Sequence, residues 1–260
     1  MNAMGATFEQ WIEFVFSNPV RRREWYWNED FDSRWDALEL TDALIVQYMT
    51  RLFLEPAVLG SYSLEQVNQG LWFLIGESSP GGSSKTLLRH EAALVDRVGC
   101  IHAMSSFFRN YILAVTPSHF DPKAATNEVD SAAYMWWDIF PMHFYMRSHT
   151  PGPTGTAALL ATLEKFKLAT ELHNALLKKT LDEQIEIEPE IHQATLRVMS
   201  EVLDLPSETC QFSALHGLGH WHAQHPEQVE QIVDGFLTRH EDLRPHVIEY
   251  ASRARLGNVL

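Results

Sequence analysis

Apolar residues recur along this chain at the spacing of an α-helix rather than that of a β-strand. Between residues 7 and 17 they fall at positions i, i+3, i+4 and i+7, on one stripe of a helix: Phe8, Trp11, Ile12 and Val15. The same reading predicts further helices over 40–54, 64–76, 85–115, 127–147, 155–180, 189–204, 207–222, 226–239 and 242–255. The sequence contains no sustained alternation of apolar and polar residues, which would indicate strands. The pattern therefore predicts an all-α protein.

Local signals predict where some of these helices begin and end. Ser63 and Gln66 have the spacing of a capping box, in which each side chain bonds the backbone amide of the other residue at a helix start. A stretch rich in Ser, Pro and Gly follows that helix and predicts a loop. We therefore expect an N-terminal helical part over 1–78, a linker over 79–86 and a helical domain over 87–260, or one continuous domain.

Further breaks are predicted along the chain. Gly99 would interrupt the long helix in which it lies, and Thr116-Pro117 would end that helix. Pro141 would kink the next helix, and a Pro- and Gly-rich loop is expected over 149–154. Residues 17–36 combine aromatic side chains with three consecutive arginines and lack helical periodicity, so we expect an ordered loop there.

The last four predicted helices indicate a helical repeat, because equivalent helices recur after about 35 residues. The pattern is carried by Ser213–Trp221 (SALHGLGHW) and His225–Leu237 (HPEQVEQIVDGFL). An Ala-Leu-Gly helix, a short turn with Pro and an amphipathic helix together resemble the HEAT-like repeats of bacterial proteins. The resemblance implies stacked antiparallel helix pairs, as in a HEAT-like α–α superhelix, at least in the C-terminal third (188–260). It also implies a binding surface and no chemistry.

The charge of the chain argues against some classes of partner. Asp and Glu number 34 against 20 Lys and Arg, so the net charge is −14. Such a chain is repelled by nucleic-acid phosphates and by anionic membrane surfaces, and it favours basic partners. Cys100 and Cys210 are the only cysteines in the sequence, which indicates a reducing compartment and buried thiols. Without a signal segment or a long apolar run, we expect a soluble cytoplasmic protein.

The helix that contains SALHGLGHW combines two glycines with three polar residues. Gly217 and Gly219 each lower helix stability by about 1 kcal/mol relative to Ala, so they predict the close approach of a neighbouring element. At about 100° per residue the apolar residues of this helix form one buried arc. Ser213, His216 and His220 share the opposite face, which we expect to be open to solvent.

His216 and His220 are spaced i, i+4, an arrangement in which two histidines on a helix can hold a metal ion. A metal-dependent hydrolase that uses zinc or another divalent transition metal is therefore an alternative function. The zincin motif needs Glu where this chain has Gly217, and no third ligand is indicated. The competing interpretation is a polar face of the repeat without metal.

Large aromatic residues cluster beside the three arginines near the N-terminus. Aromatic residues and Arg contribute most of the binding energy in many protein interfaces, so Arg22, Trp25 and Trp27 are candidate contact residues. The competing interpretation is a loop that its own aromatic side chains fix onto the helices. Trp72 and Phe73 lie within a helical stripe and are predicted to belong to the core.

Together these patterns predict a non-enzymatic protein-binding module without a cofactor. Its candidate contact residues are Ser213, His216, His220, Arg22, Trp25 and Trp27. A specific version is an immunity or antitoxin-like protein that neutralises a basic bacterial toxin through charge complementarity. The alternatives are the metal-dependent hydrolase with His216 and His220 as ligands, and a structural subunit of a homo-oligomer.

Overall fold

The computed structural model describes residues 5–21, 24–76, 83–119, 128–139 and 188–259. The helices are α1 (Phe8–Phe16), α2 (Phe31–Asp36), α3 (Asp42–Leu54), α4 (Leu64–Ile75), α5 (Ser83–Thr86), α6 (Leu94–Phe107), α7 (Glu128–Tyr134), α8 (Trp136–Ile139), α9 (Pro189–Leu203), α10 (Glu208–Trp221), α11 (Pro226–Arg239) and α12 (Pro245–Ala254). Short 3-10 turns span Trp25–Trp27 and Pro56–Ser61, and α6 is prolonged by a π-helical turn (Phe108–Ile112) and one last turn (Leu113–Val115). No strand occurs in these ranges, so the all-α prediction is confirmed.

Some predictions concern residues outside the described ranges. They are the helix over 155–180, the loop over 149–154, the break at Pro141, the contact residue Arg22 and the part of the linker over 79–82. The last four predicted helices do lie within the described ranges. Their observed counterparts, α9 to α12, begin and end within three residues of the predicted bounds.

The predicted capping box at the start of α4 is present. The Ser63 hydroxyl accepts a hydrogen bond from the Gln66 amide (3.3 Å), and Gln66 Oε1 accepts one from the Ser63 amide (3.1 Å). Thr7 and Gln10 form the same reciprocal pair at the start of α1. These side chains satisfy backbone amides that have no partner within the helix, and they thereby fix where each helix begins.

The helix predicted over 85–115 is interrupted, but not at Gly99. A non-helical connection (87–93) separates α5 from α6, and α6 continues through Gly99 without a break. Leu87 and Leu88 are nevertheless buried in this connection. Because a buried connection also contains apolar residues, its pattern resembles that of a helix, which explains the error.

Residues 17–36 are more regular than the predicted ordered loop. They contain the 3-10 turn Trp25–Trp27 and α2. Buried aromatic side chains hold this segment against α1 and α4, where Phe14 and Phe73 receive them. Tertiary burial therefore stabilises short helical turns that no periodic pattern indicates.

The helices contact one another in two rows. One row consists, in order, of α1, α4, α7, α10 and α12, and the other of α3, α6, α9 and α11. Contacts of α10 with α9 and α11, and of α11 with α12, join the rows at the C-terminal end. The buried apolar side chains form one core that extends from Phe8 to Val259.

The C-terminal helices pack as two pairs in register with each other. Residues 204–207 connect α9 to α10, and residues 240–244 connect α11 to α12. Side chains 35 or 36 positions apart in sequence are hydrogen-bonded between the pairs: Gln193–Gln228, Asp204–Arg239 and Glu208–Arg244. This separation equals the spacing that the sequence pattern predicts between equivalent helices. Each residue of one pair therefore lies beside its counterpart in the next.

Two expectations from composition can be compared with the structure. Cys100 and Cys210 are both free and buried, and burial raises the pKa of each thiol to about 12. The prediction of buried thiols is therefore confirmed, and the raised pKa values keep both thiols protonated near pH 7. Within the ranges that the structure describes, none of the helices is long and apolar enough to cross a lipid bilayer.

A buried arginine ties the 87–93 connection to the start of α9. Arg97 is 2% exposed and donates to the carbonyl oxygens of Ala92 (3.1 Å) and Leu87 (3.3 Å). Its guanidinium also forms a two-point ion pair with Glu188, in which Nη1 is 3.1 Å from Oε2. The hydrogen bonds from Arg97 lower the pKa of Glu188. One side chain thus joins α6, the connection and α9.

Replacing Glu188 by Gln should destabilise the protein, because it leaves the Arg97 charge buried without its counterion. We expect the free energy of unfolding in urea to fall by about 2–4 kcal/mol, near the lower end for a buried pair since Glu188 is partly exposed. As a control, Glu190→Gln at a neighbouring exposed position should change the free energy of unfolding by less than about 0.5 kcal/mol. Equal effects of the two variants would contradict this role of Arg97.

The two glycines of α10 allow neighbouring elements to approach closely, as predicted. A Cβ atom on Gly217 would overlap the Cβ of Trp137 and lie 2.9 Å from the sulfur of Met199. A Cβ atom on Gly219 would overlap the side chain of Val259. By contrast, among the described residues no atom outside the local backbone of α6 lies within 4 Å of the corresponding position on Gly99.

These contacts predict opposite effects for two Gly→Ala substitutions in helices. Gly99→Ala should raise the free energy of unfolding by up to about 1 kcal/mol, because Ala favours the helix and meets no neighbour. Gly217→Ala should lower it by about 1–2 kcal/mol, since overpacking against Trp137 outweighs the gain in helix propensity. Urea unfolding of both variants measures the difference, and stabilisation by Gly217→Ala would refute the close packing.

Candidate functional site

Helix α10 is enclosed by other helices and presents no open polar face at Ser213 or His216. Ser213 is 0% and His216 is 6% exposed, whereas His220 is partly exposed. The Ser213 hydroxyl donates to the backbone carbonyl of Ala133 in α7. The expectation of a solvent-open face is therefore wrong for Ser213 and His216. It fails because α7 and α12 cover this side of α10, and the periodicity of one helix does not reveal its neighbours.

His216 belongs to a hydrogen-bonded chain with two tyrosines. Its Nδ1 is 2.9 Å from the Tyr250 hydroxyl, which is 2.8 Å from the Tyr134 hydroxyl. The Tyr134 ring also stacks on the imidazole, with centroids 4.3 Å apart. Burial, together with the neighbouring His220, lowers the pKa of His216 to about 4. The ring is therefore neutral near pH 7 and connects α7, α10 and α12.

The two histidines predicted as metal ligands lie close together. The ring centroids of His216 and His220 are 4.6 Å apart, and the ring planes are nearly perpendicular. Over the described ranges, no group of three or more His, Cys, Asp or Glu side chains is arranged to hold a metal ion. Binding of zinc or another divalent transition metal by His216 and His220 stays a prediction. The sequence nominates no third ligand for that metal.

A second pair of histidines joins the two C-terminal helix pairs. His192 in α9 and His225 before α11 are hydrogen-bonded, with His192 Nδ1 3.0 Å from His225 Nε2. Trp221 packs against both rings. Burial and the neighbouring His225 lower the pKa of His192 to about 4. The pairing of these two residues was not predicted, although their separation of 33 positions is close to the predicted repeat.

The aromatic segment near the N-terminus is fixed to the core, but one of its tryptophans is exposed. Trp25 is 2% exposed and packs on Phe73 of α4, with centroids 4.9 Å apart. This confirms the interpretation that the segment is held by its own aromatic residues. Trp27 is 39% exposed and contacts the ring of Tyr26. The role of Trp27 as a contact residue stays a prediction. Trp25 was also predicted as a contact residue, but it is buried and belongs to the core.

A groove of about 430 Å³ lies between this segment and α4. Four residues of α4 line it: Glu65, Asn68, Gln69 and Trp72. They are spaced i, i+3, i+4 and i+7, so they form one stripe of the helix, opposite the apolar stripe that faces the core. The other wall consists of Val20, Arg21, Glu24 and Tyr26. We refer to this site as the α4 groove.

The α4 groove was not predicted, although its stripe is visible in the sequence. Trp72 was assigned to the core together with Phe73, and only Phe73 is fully buried. Trp72 is partly exposed, and its indole nitrogen donates to the Ser131 hydroxyl (3.4 Å). The stripe becomes part of a groove only because Val20, Arg21, Glu24 and Tyr26 lie opposite it. The local sequence pattern does not indicate that contact.

Polar and charged side chains line both walls of the α4 groove. The side-chain oxygens of Asn68 and Gln69 are buried and have no hydrogen-bond partner among the residues that the structure describes. Glu24 and Glu65 add two carboxylates, and a backbone hydrogen bond at the start of α4 lowers the pKa of Glu65. Burial and the proximity of Glu24 raise the pKa of Tyr26 to about 12, so its hydroxyl stays protonated. Among the described residues, the groove thus combines two carboxylates with the guanidinium of Arg21 and the ring of Tyr26.

An acidic segment lies next to the groove along the chain. Between Glu29 and Glu39 five carboxylate side chains are exposed: Glu29, Asp30, Asp32, Asp36 and Glu39. The single basic residue in this segment, Arg34, is partly buried and 3.9 Å from Asp30. The segment therefore has five carboxylates against one guanidinium, and it follows the exposed Trp27 along the chain. We call residues 29–39 the acidic segment.

The buried histidines predict a loss of stability in mild acid. The folded protein holds His216 neutral down to about pH 4, whereas the unfolded chain binds a proton near pH 6.5. Stability should therefore fall as the pH falls from 6.5 towards 4, by up to about 1.4 kcal/mol per pH unit for each such histidine. His216→Gln should reduce this slope in urea unfolding. An identical slope in the variant and the parent protein would contradict the prediction.

No protein-family model, curated protein or solved structure matches this chain. The resemblance to HEAT-like repeats therefore rests on the residues of α10 and α11 and on the paired packing of α9 to α12. Within the described ranges, the candidate sites are the α4 groove, the acidic segment and the histidine-bearing helix α10.

Proposed function

We propose that this protein is a non-enzymatic helical module that binds a basic protein through its N-terminal end. The observation that carries the proposal is the acidic segment, whose five exposed carboxylates follow the exposed Trp27 along the chain. An exposed tryptophan surrounded by charge is typical of a contact region, because a large ring supplies contact area and the charges supply specificity.

The contact region has a rigid base. Trp25, Tyr26 and Phe31 are buried beneath it and pack on Phe14 and Phe73. Little conformational entropy would therefore be lost when a partner binds, and pre-organised surfaces bind more tightly for the same contact area. The aromatic cluster thus serves stability and also presents Trp27 and the acidic segment in a fixed geometry.

The negative net charge of the chain indicates the charge of its partner. The whole chain carries a net charge of −14, and the acidic segment concentrates part of it in eleven residues of sequence. A field of this sign accelerates association with a basic protein and opposes association with nucleic acid. We therefore expect a partner with an excess of Lys and Arg on the surface that it presents.

The helical architecture supports a binding role. Stacked helix pairs present long surfaces from successive elements, as in repeat proteins that bind other proteins. The register of α9–α10 with α11–α12 supports the HEAT-like part of the proposal. Its most specific form is an intracellular immunity or antitoxin-like protein that neutralises a basic bacterial toxin, which the acidity and the all-α class support.

Affinity capture from a native lysate of the source organism tests the proposal. The immobilised protein should retain a basic protein. Raising the salt from about 0.1 M to about 0.5 M should weaken binding, because the Debye length is about 10 Å at 0.1 M and shortens as the salt concentration rises. The triple variant Glu29→Gln, Asp32→Asn, Asp36→Asn should lower the affinity for that protein by at least about tenfold.

A variant of equal net charge controls for non-specific electrostatics. Glu227, Glu241 and Glu249 are exposed on α11, after α11 and on α12. Their combined replacement by Gln changes the charge by the same amount and should leave the affinity within about twofold. Equal losses in both triple variants, binding that ignores salt, or an acidic partner would each overturn the proposal.

A further inference from the structure

We infer that the hydrogen-bonded pair His192–His225 is an acid-sensitive latch between the two C-terminal helix pairs. The latch joins the first turn of α9 to the start of α11, and it releases when both rings bind a proton. The inference concerns the placement of α11 relative to α9 within the chain. It is independent of the proposed function, because the latch needs no partner.

Helices α9 and α11 lie side by side, and uncharged contacts join them where both helices begin. Nδ1 of His192 in α9 is 3.0 Å from Nε2 of His225, the residue that precedes α11. Next to this pair, Gln228 donates to the side-chain oxygen of Gln193 (3.2 Å). Trp221 at the end of α10 packs against both imidazoles. This end of the contact therefore carries no charge while both histidines are neutral.

An ion pair joins the same two helices where they end. Arg239, the last residue of α11, donates to both carboxylate oxygens of Asp204, which follows α9 (2.8 and 3.1 Å). His240 Nε2 is 3.1 Å from the same carboxylate. Burial raises the pKa of Asp204, but hydrogen bonds from Arg239 and His240 outweigh burial and hold this pKa below its ordinary value. Asp204 therefore stays ionised in mild acid, and the ion pair persists there.

The hydrogen bond between His192 and His225 depends on how many protons the two rings hold. With both rings neutral, one nitrogen donates and the other accepts. A single added proton preserves the bond, because the charged ring donates to the neutral one. With two added protons both nitrogens are donors, so the bond is lost and two positive charges meet in a partly buried place. The pair therefore joins α9 to α11 at neutral pH and separates them once the second proton binds.

The surroundings of the pair do not compensate for that second proton. Burial, together with His225, lowers the pKa of His192 to about 4, and burial also lowers the pKa of His225. Among the described residues of α6, α9, α10 and α11, no carboxylate contributes to either shift. Glu188, one turn before His192, is engaged by Arg97 and His90.

Separation of the two helices exposes both rings to water, where the pKa of an imidazole is about 6.5. The open form therefore binds protons more tightly than the closed form. Each proton taken up on opening shifts the equilibrium toward the open form by up to about tenfold per pH unit below that value. Acid thus loosens the contact where α9 and α11 begin, while the ion pair holds the contact where they end.

Hydrogen exchange in the full chain tests the latch. Amide protection would be followed residue by residue by NMR from about pH 6.5 to about pH 4.5, after correction for the intrinsic pH dependence of exchange. Protection of amides 229–231, near the start of α11, should fall by at least about tenfold. Protection of amides 236–238, near its end, should fall by less than about threefold.

Two variants separate the latch from a general effect of acid. His192→Asn with His225→Gln replaces the pair by two amides, which match the reach of the bonded nitrogens, keep a donor and an acceptor and do not titrate. In this variant the difference in protection between the two ends of α11 should no longer depend on pH. His240→Gln removes a histidine from the other end, and as a matched control it should leave the fall near the start of α11 unchanged within about twofold.

Three outcomes would overturn the latch. An equal loss of protection at both ends of α11 in acid would indicate global unfolding instead. Protection near the start of α11 that does not change with pH would show that the pair does not open. A pH-dependent difference that persists in the Asn–Gln variant would assign the effect to other groups. The comparison of the two ends in the parent chain needs no variant, so a variant that fails to fold leaves the test intact.

Discussion

The enclosure of α10 is the constraint on which the C-terminal structure depends. This helix contacts α7, α8, α9, α11 and α12, so nearly every side chain along it faces another helix. Gly217 and Gly219 make the arrangement possible, because Trp137 and Val259 occupy the space that larger residues would need. Each glycine weakens α10 as an isolated helix, and the close packing that it permits offsets that loss.

Enclosure also determines how the polar groups of α10 can act. A buried polar atom without a partner is destabilising, so Ser213 bonds a carbonyl of α7 and His216 bonds Tyr250 of α12. The histidines that attract attention in the sequence thus hold helices together. Exposed charged and polar side chains lie instead at the N-terminal end, in the acidic segment and the α4 groove, where the buried aromatic side chains pack on α1 and α4.

The sequence determined the local structure and the charge. Hydrophobic periodicity placed α1, α3, α4 and the C-terminal helices, because one apolar stripe per helix is sufficient to predict burial on one side. The Ser63–Gln66 box and the glycines of α10 were also predicted correctly, since capping and close approach depend on residue type at fixed spacing. Composition alone established the strong acidity that underlies the proposed partner.

Only the tertiary structure decided which faces are covered and which residues meet. Periodicity shows that His216 and His220 share one side of α10, but the covering of that side comes from α7 and α12, distant in sequence. The connection over 87–93 resembled a helix because its leucines are buried by long-range contacts. The α4 groove likewise forms only where Val20, Arg21, Glu24 and Tyr26 lie against α4. Such contacts depend on the relative placement of elements, which no local pattern of residues encodes.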